Sequence, residues 1–151
     1  MSFNEAACCF DASMYTGVPD AAPCAQSLDT KSIIAGLDKL LFSGDDAAAG
    51  EYLDRWCQKA QEAGDWRTEL TLQSELMGFH RRTSDQAAAL AAVDRGLEPI
   101  REHRLGSTVS GATIILNAAT TLKAYGMAEQ SIPMFVQACR VYSQTLDPLD
   151  Y

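Results

Sequence analysis

Two apolar stripes between Ser107 and Asp150 constrain this chain more than any other feature. Ile115, Ala118, Leu122 and Tyr125 are spaced by three, four and three residues, and Ile132, Phe135, Cys139, Tyr142 and Leu146 by three, four, three and four. That spacing puts each set on one face of an α-helix. Ser107 and Thr108 offer side-chain oxygens to cap the first helix. Gly126 stands where a left-handed residue would close it. Pro133 falls near the first turn of the second helix, where a missing N–H costs least, and Asp147-Pro148 is a stop signal. Helices joined by so short a turn must lie antiparallel.

The hairpin recurs. Taking Gly126 as the turn, a step back of 42 residues reaches Ser84 in Thr83-Ser84-Asp85, and a further 40 reaches Gly44 in Ser43-Gly44-Asp45-Asp46. Five residues after each turn lie Ala49, Ala89 and Ser131, nine after lie Leu53, Val93 and Phe135, and twelve after lie Trp56, Gly96 and Ala138. Seven before lie Leu37, Met77 and Ala119. Small and large residues at fixed offsets are what close helix crossings need, because a large side chain must nest against a small one. Trp56 makes the first repeat irregular.

The pattern predicts an all-α chain of six main helices in three antiparallel pairs, over residues of about 30–63, 66–104 and 107–148. The first pair is a helix capped by Thr30 and running to about Phe42, then one from Asp46 to Ala63 with Ala49, Leu53, Trp56 and Ala60 inward. The second is a helix from about Trp66 to Arg82, then one beginning near Gln86. Pro99 lies inside that last helix and predicts a kink near Arg95 or an early end. Residues 1–29 do not fit the repeat. Ser2 and Glu5 could form a capping box for a short helix through Phe10, which Thr16-Gly-Val-Pro19 and Ala22-Pro23 would break. This segment reads as an arm, loosely docked or partly disordered.

Composition excludes several classes of function. Of 151 residues, 47% are hydrophobic and 21% charged, a balance for a packed core rather than disorder. The formal net charge of −8 argues against nonspecific nucleic-acid binding and against an anionic membrane surface. No apolar run approaches the roughly 20 residues of a membrane span, and no signal peptide is evident at the N-terminus. Five cysteines without regular spacing read as reduced thiols in a cytoplasmic protein.

The sites that suggest chemistry have plainer explanations. His80 and His103 have no metal-ligand spacing and read as groove or surface histidines. No C-x-x-C occurs, so neither metal nor cofactor is expected. Cys57 and Cys139 lie on or beside apolar stripes and are expected to be buried. Gly106-Ser-Thr-Val-Ser-Gly111 lacks the Lys of a phosphate loop and the register of a nucleophile elbow, and reads as a helix start. Asp45-Asp46 is expected from the dipole at a helix N-terminus. No paired carboxylates with a matching base stand out, so the chain is read as no enzyme.

Asn117-Ala-Ala, Ala124-Tyr125-Gly126, Ser131-Ile132-Pro-Met-Phe135, Ala138 and Leu146-Asp-Pro148 resemble a tetratricopeptide repeat, in the longer form of kinesin light chains. Ser131, Phe135 and Ala138 fill that family's small, aromatic and Ala places in the second helix. The resemblance covers residues of roughly 30–148 and is clearest in the third repeat. It implies a short right-handed α-solenoid whose first helices line a concave groove. The groove positions it implies are Ile34, Asp38 and Leu41, then Ser74, Gly78 and Arg81, then Leu116, Thr120 and Lys123, with Asn117 beside them. In such arrays an Asn there often bonds a bound peptide's backbone, since an amide both donates and accepts. Arg81, Arg82 and Lys123 add positive charge. The paired Lys and Asn of the carboxylate-clamp subfamily are missing, so a chaperone tail is not the expected ligand.

The expected function is therefore a noncatalytic scaffold holding a protein or peptide in the groove. The alternative is a self-assembly module forming a homodimer through exposed repeat surfaces, and the plainest reading is a solvated helix face that binds nothing. The last helix carries Ile132, Phe135, Val136, Cys139 and Tyr142, wider than one hairpin partner can cover. The C-terminal end is thus expected to continue into a longer array or to pair with a second copy, and a final helix covered by the arm of residues 1–29 would contradict that expectation.

Overall fold

The computed structural model describes residues 10–20 and 23–145. A single 3-10 turn, Ala12–Met14, precedes six α-helices: α1 (Thr30–Ser43), α2 (Asp46–Ala63), α3 (Trp66–Arg82), α4 (Gln86–Glu102), α5 (Val109–Ala124) and α6 (Ala128–Thr145). No strand occurs among the described residues, so the architecture is all-α, and the helix bounds fall where the periodicity puts them. Each helix packs on the next in sequence, and α3 also packs on α5.

One device starts most of the helices. Asp29, Asp45, Asp65 and Asp85 accept the backbone N–H of Ser32, Ala48, Thr68 and Ala88 at 3.2, 3.0, 3.1 and 3.1 Å. Thr108 does the same for Gly111 at 3.0 Å. Each satisfies an N–H that the helix itself leaves unpaired. Asp29, rather than the expected Thr30, caps α1, because Thr30 is already helical and its hydroxyl bonds that of Thr68 at 2.7 Å.

One device also ends them. Positive φ recurs at Gly44 (79°), Gly64 (66°), Ser84 (61°), Arg104 (53°) and Gly126 (79°). At the last four, the N–H of the following residue reaches back to a helix carbonyl: Asp65 to Ala60, Asp85 to His80, Leu105 to Ile100 and Met127 to Leu122, each at 2.9 Å. This is the six-to-one bond of a left-handed helix stop. After Gly44, Gly64 and Ser84 an aspartate N-cap follows directly and starts the next helix, so the chain reverses there within a very short connection.

The fixed offsets mark the core. Leu37, Met77 and Ala119, Ala49, Ala89 and Ser131, and Leu53 and Val93 are all buried. Gly96 lets α4 approach α3 closely, for a Cβ there would stand 2.5 Å from the Met77 methyl. Two stripes differ from expectation. In α2, Cys57 rather than Trp56 points inward, and the Lys59 ammonium lies 4.4 Å over the half-buried Trp56 ring. In α6 the buried face is Ser131, Met134, Gln137, Ala138 and Val141, centred one position round from the expected stripe. Cys139 is therefore exposed, not buried, and Ile132 and Val136 are 58% and 50% exposed. The close contact with α5 selects the small Ser131 and Ala138 and leaves the bulkier row outside. Pro99 does not end α4 early: the helix runs on to Glu102, although the proline lacks the N–H that would bond the Arg95 carbonyl.

Residues 10–20 are stitched to the helices. Phe10 and Tyr15 stack at 4.6 Å between centroids, and both are buried in the main core. The Gly106 N–H donates to the Tyr15 carbonyl at 2.7 Å, and the Asp20 N–H to that of His103 at 2.8 Å. His103 Nδ1 lies 2.8 Å from the Asp20 carbonyl, and its ring stacks 3.9 Å from that of Trp66. His103 is thus a buried junction residue rather than a groove or surface one. The expected capping box at Ser2 and Glu5, Cys8, Cys9, Leu146 and the stop at Asp147-Pro148 lie outside the described residues.

Candidate functional site

The first helices of the three pairs, α1, α3 and α5, share a cleft of about 240 Å³. From α1 come Leu37 and Leu41, from α3 Ser74, Glu75, Gly78, Phe79 and Arg82, from α5 Asn117, with Leu53 of α2 below them. Leu37 and Leu53 are fully buried and form the apolar floor. A wider depression of about 460 Å³ lies between α1 and α2, lined by Gly36, Tyr52 and Arg55 among others, but one helix pair alone forms it. Among the described residues, the smaller cleft collects side chains from all three pairs.

Asn117 ties the cleft's walls together. Its amide nitrogen donates to the Ser74 carbonyl at 3.0 Å and to the Ser74 hydroxyl at 2.8 Å. Its amide oxygen accepts from Arg81 Nη1 at 2.7 Å, and the same nitrogen reaches the Thr121 hydroxyl at 2.7 Å. This network is a bridge between α3 and α5. Burial pushes the Arg81 guanidinium below its ordinary value, yet so strong a base stays charged.

Arg82, one residue on, grips Asp46 with both carboxylate oxygens, at 2.8 and 3.2 Å, and lies 5.6 Å over the Phe79 ring. The Arg82 hydrogen bond holds the Asp46 carboxyl below the usual range. Glu75 is different. Burial first, then the negative charge of Asp38 on α1, pushes its carboxyl above the usual range. Among the described residues no hydrogen bond or ion pair reaches it.

The structure brings together Ser74, Arg81 and Asn117 of the expected groove residues, with Leu41 and Gly78 in the same cleft. The others stand apart from that network. The Thr120 hydroxyl donates to Leu116 in its own helix at 2.9 Å. Lys123 is exposed in the last turn of α5, where a cation suits the helix dipole. Asp38 is exposed and acts on the cleft through its charge. Sequence reasoning missed Glu75 and Phe79. With Arg82 they make an i, i+4, i+7 row beside the expected Ser74, Gly78 and Arg81, and that adjacency was the available signal.

No protein family, curated protein or solved structure matches the chain. Among the described residues, no three His, Cys, Asp or Glu converge as metal ligands, and no helix is long and apolar enough to cross a membrane.

Proposed function

We propose that this chain is a noncatalytic, cytoplasmic scaffold, a tetratricopeptide-like array that holds a peptide segment of a partner in the cleft along α1, α3 and α5. The observation that carries this reading is the convergence of all three first helices on one cleft with an apolar floor and a polar rim. That combination suits an extended or helical segment anchored by one side chain. The three described cysteines are free thiols, in keeping with a reducing compartment. In this reading Asn117 positions α3 against α5, its amide being engaged by Ser74 and Arg81, and the ligand meets Ser74, Gly78, Phe79 and Glu75.

Gly78 supplies the test. A Cβ there meets only Arg81 Nη2, at 3.7 Å, so a larger side chain is accommodated and projects into the cleft. Peptides selected from a random display library on the native chain are expected to bind Gly78→Leu at least tenfold more weakly, with the helical circular-dichroism spectrum unchanged. Equal affinity for both proteins would refute the cleft as the binding site.

The exposed row on α6 favours a second reading, homodimerisation. Ile132 and Val136 stand half or more exposed beside half-buried Phe135 and Tyr142, and such a face is a common mark of association. Sedimentation at micromolar concentration is expected to report a dimer that the double variant Ile132→Glu, Val136→Glu abolishes. A monomeric parent chain rules this reading out.

A further inference from the structure

We infer that the cleft takes the side chain of a lysine or arginine from the bound peptide, its aliphatic stem against Leu41 and Phe79 and its charged head on the Glu75 carboxylate. This rests on the peptide-binding reading above and narrows it to one class of anchor residue.

Four observations lead there. The cleft, at about 240 Å³, is smaller than the about 300–1,000 Å³ typical of small-molecule sites and suits a single long side chain. Its apolar lining calls for a hydrocarbon stem, and Glu75 calls for a cation, so the fitting occupant is amphipathic in the manner of lysine and arginine. The two arginines beside the cleft are engaged elsewhere. Arg82 is paired with Asp46, and Arg81 is held by Asn117 and Thr121. Finally, Asp38 adds a second negative charge, and burial with that charge keeps the Glu75 carboxyl in a state that an incoming cation would relieve. A partner acid would meet two unneutralised carboxylates on a chain whose formal net charge is −8.

The test uses four pools of fluorescein-labelled decapeptides with Gly, Ser and Ala flanks. The central residue is fixed as Lys, Arg, norleucine or Glu, and each pool is titrated by fluorescence polarisation against the native chain and Glu75→Gln. The Lys and Arg pools are expected to bind the native chain at least tenfold more tightly than the norleucine pool, and the Glu pool most weakly. In Glu75→Gln that preference is expected to shrink below threefold while affinity for the norleucine pool is kept. The preference should also weaken as NaCl rises from 50 to 500 mM. Binding without a cation preference, or a preference that survives Glu75→Gln, overturns this inference and leaves the peptide-binding reading standing. Binding of no pool, with library-selected peptides also failing, overturns both.

Discussion

The Asp65 carboxylate accepts from three donors at once: the Leu28 N–H at 2.8 Å, the Thr68 N–H at 3.1 Å and the Thr68 hydroxyl. It caps α3 and ties the segment before α1 to it. Burial pushes its proton affinity up, but the bonds from the Thr68 hydroxyl and the Leu28 and Thr68 N–H groups outweigh that, and the carboxyl lies below its ordinary value. Asp65→Ala removes a cap and leaves a part-buried N–H without its acceptor, a loss of about 2–4 kcal/mol in urea unfolding. A change under about 0.5 kcal/mol would show the contact to be incidental. A depressed folded value means its stability is complete above the unfolded carboxylate value of about 4 and is lost as pH falls through the folded value. The urea midpoint should therefore drop in that acid window, and drop less in Asp65→Ala. Cys57 illustrates burial acting on a thiol. Desolvation, with Glu69 and Asp54 adding to it, pushes it up to about 12. Under iodoacetamide at pH 8, mass spectrometry should find exposed Cys139 alkylated within minutes and Cys57 only after unfolding.

At the scale of the helix, stability depends on the stops as much as on the stripes. Left-handed residues close α1 to α5, yet two of them, Ser84 and Arg104, carry a Cβ in a region that favours glycine. Ser84 is exposed, and Ser84→Gly should stabilise the fold by about 0.5–1 kcal/mol. Gly64→Ala tests the same physics with opposite sign. Its φ is +66° and its Cβ would come within 2.9 Å of the Ala25 Cβ, so a loss above about 1 kcal/mol is expected. Thermal denaturation of both variants checks the pair, and shifts of the same sign would contradict the argument. Asp29, Asp45, Asp65 and Asp85 form the other half of the device. Asp45, Asp65 and Asp85 stand right after the stops at Gly44, Gly64 and Ser84, which keeps those three connections short.

For the molecule as a whole, Glu75 is where packing and the proposed binding oppose each other. A carboxyl whose folded value is raised contributes stability that is fully present below the unfolded value of about 4.3 and is lost as pH rises through the folded value. Glu75→Gln should therefore be more stable than the parent at pH 7 and indistinguishable from it near pH 3, in parallel guanidinium titrations. A variant less stable at both values would mean that Glu75 has a structural partner. A functional site commonly keeps such a destabilising group.

Periodicity and the capping residues determined the all-α class and the six helices. Those follow from spacing along the chain, as do the turns at Gly44, Ser84 and Gly126, where local backbone conformation decides. The buried offsets at Leu37, Met77 and Ala119 were legible for the same reason. What the sequence could not determine was rotation and pairing between elements. Ile132, Val136 and Cys139 form as good a stripe as Met134, Ala138 and Val141, and only the close approach of α5 selects the latter. Asn117 was visible as a groove amide, but its engagement by Ser74 and Arg81, 43 and 36 residues away, is a fact of how α3 lies on α5. The arm was unreadable because Phe10 and Tyr15 gain their burial only from helices far along the chain. Glu75 became a site residue only when α1, with Asp38, was packed beside α3. Its environment is a sum of burial and charge from several elements, and no spacing within one helix encodes that sum.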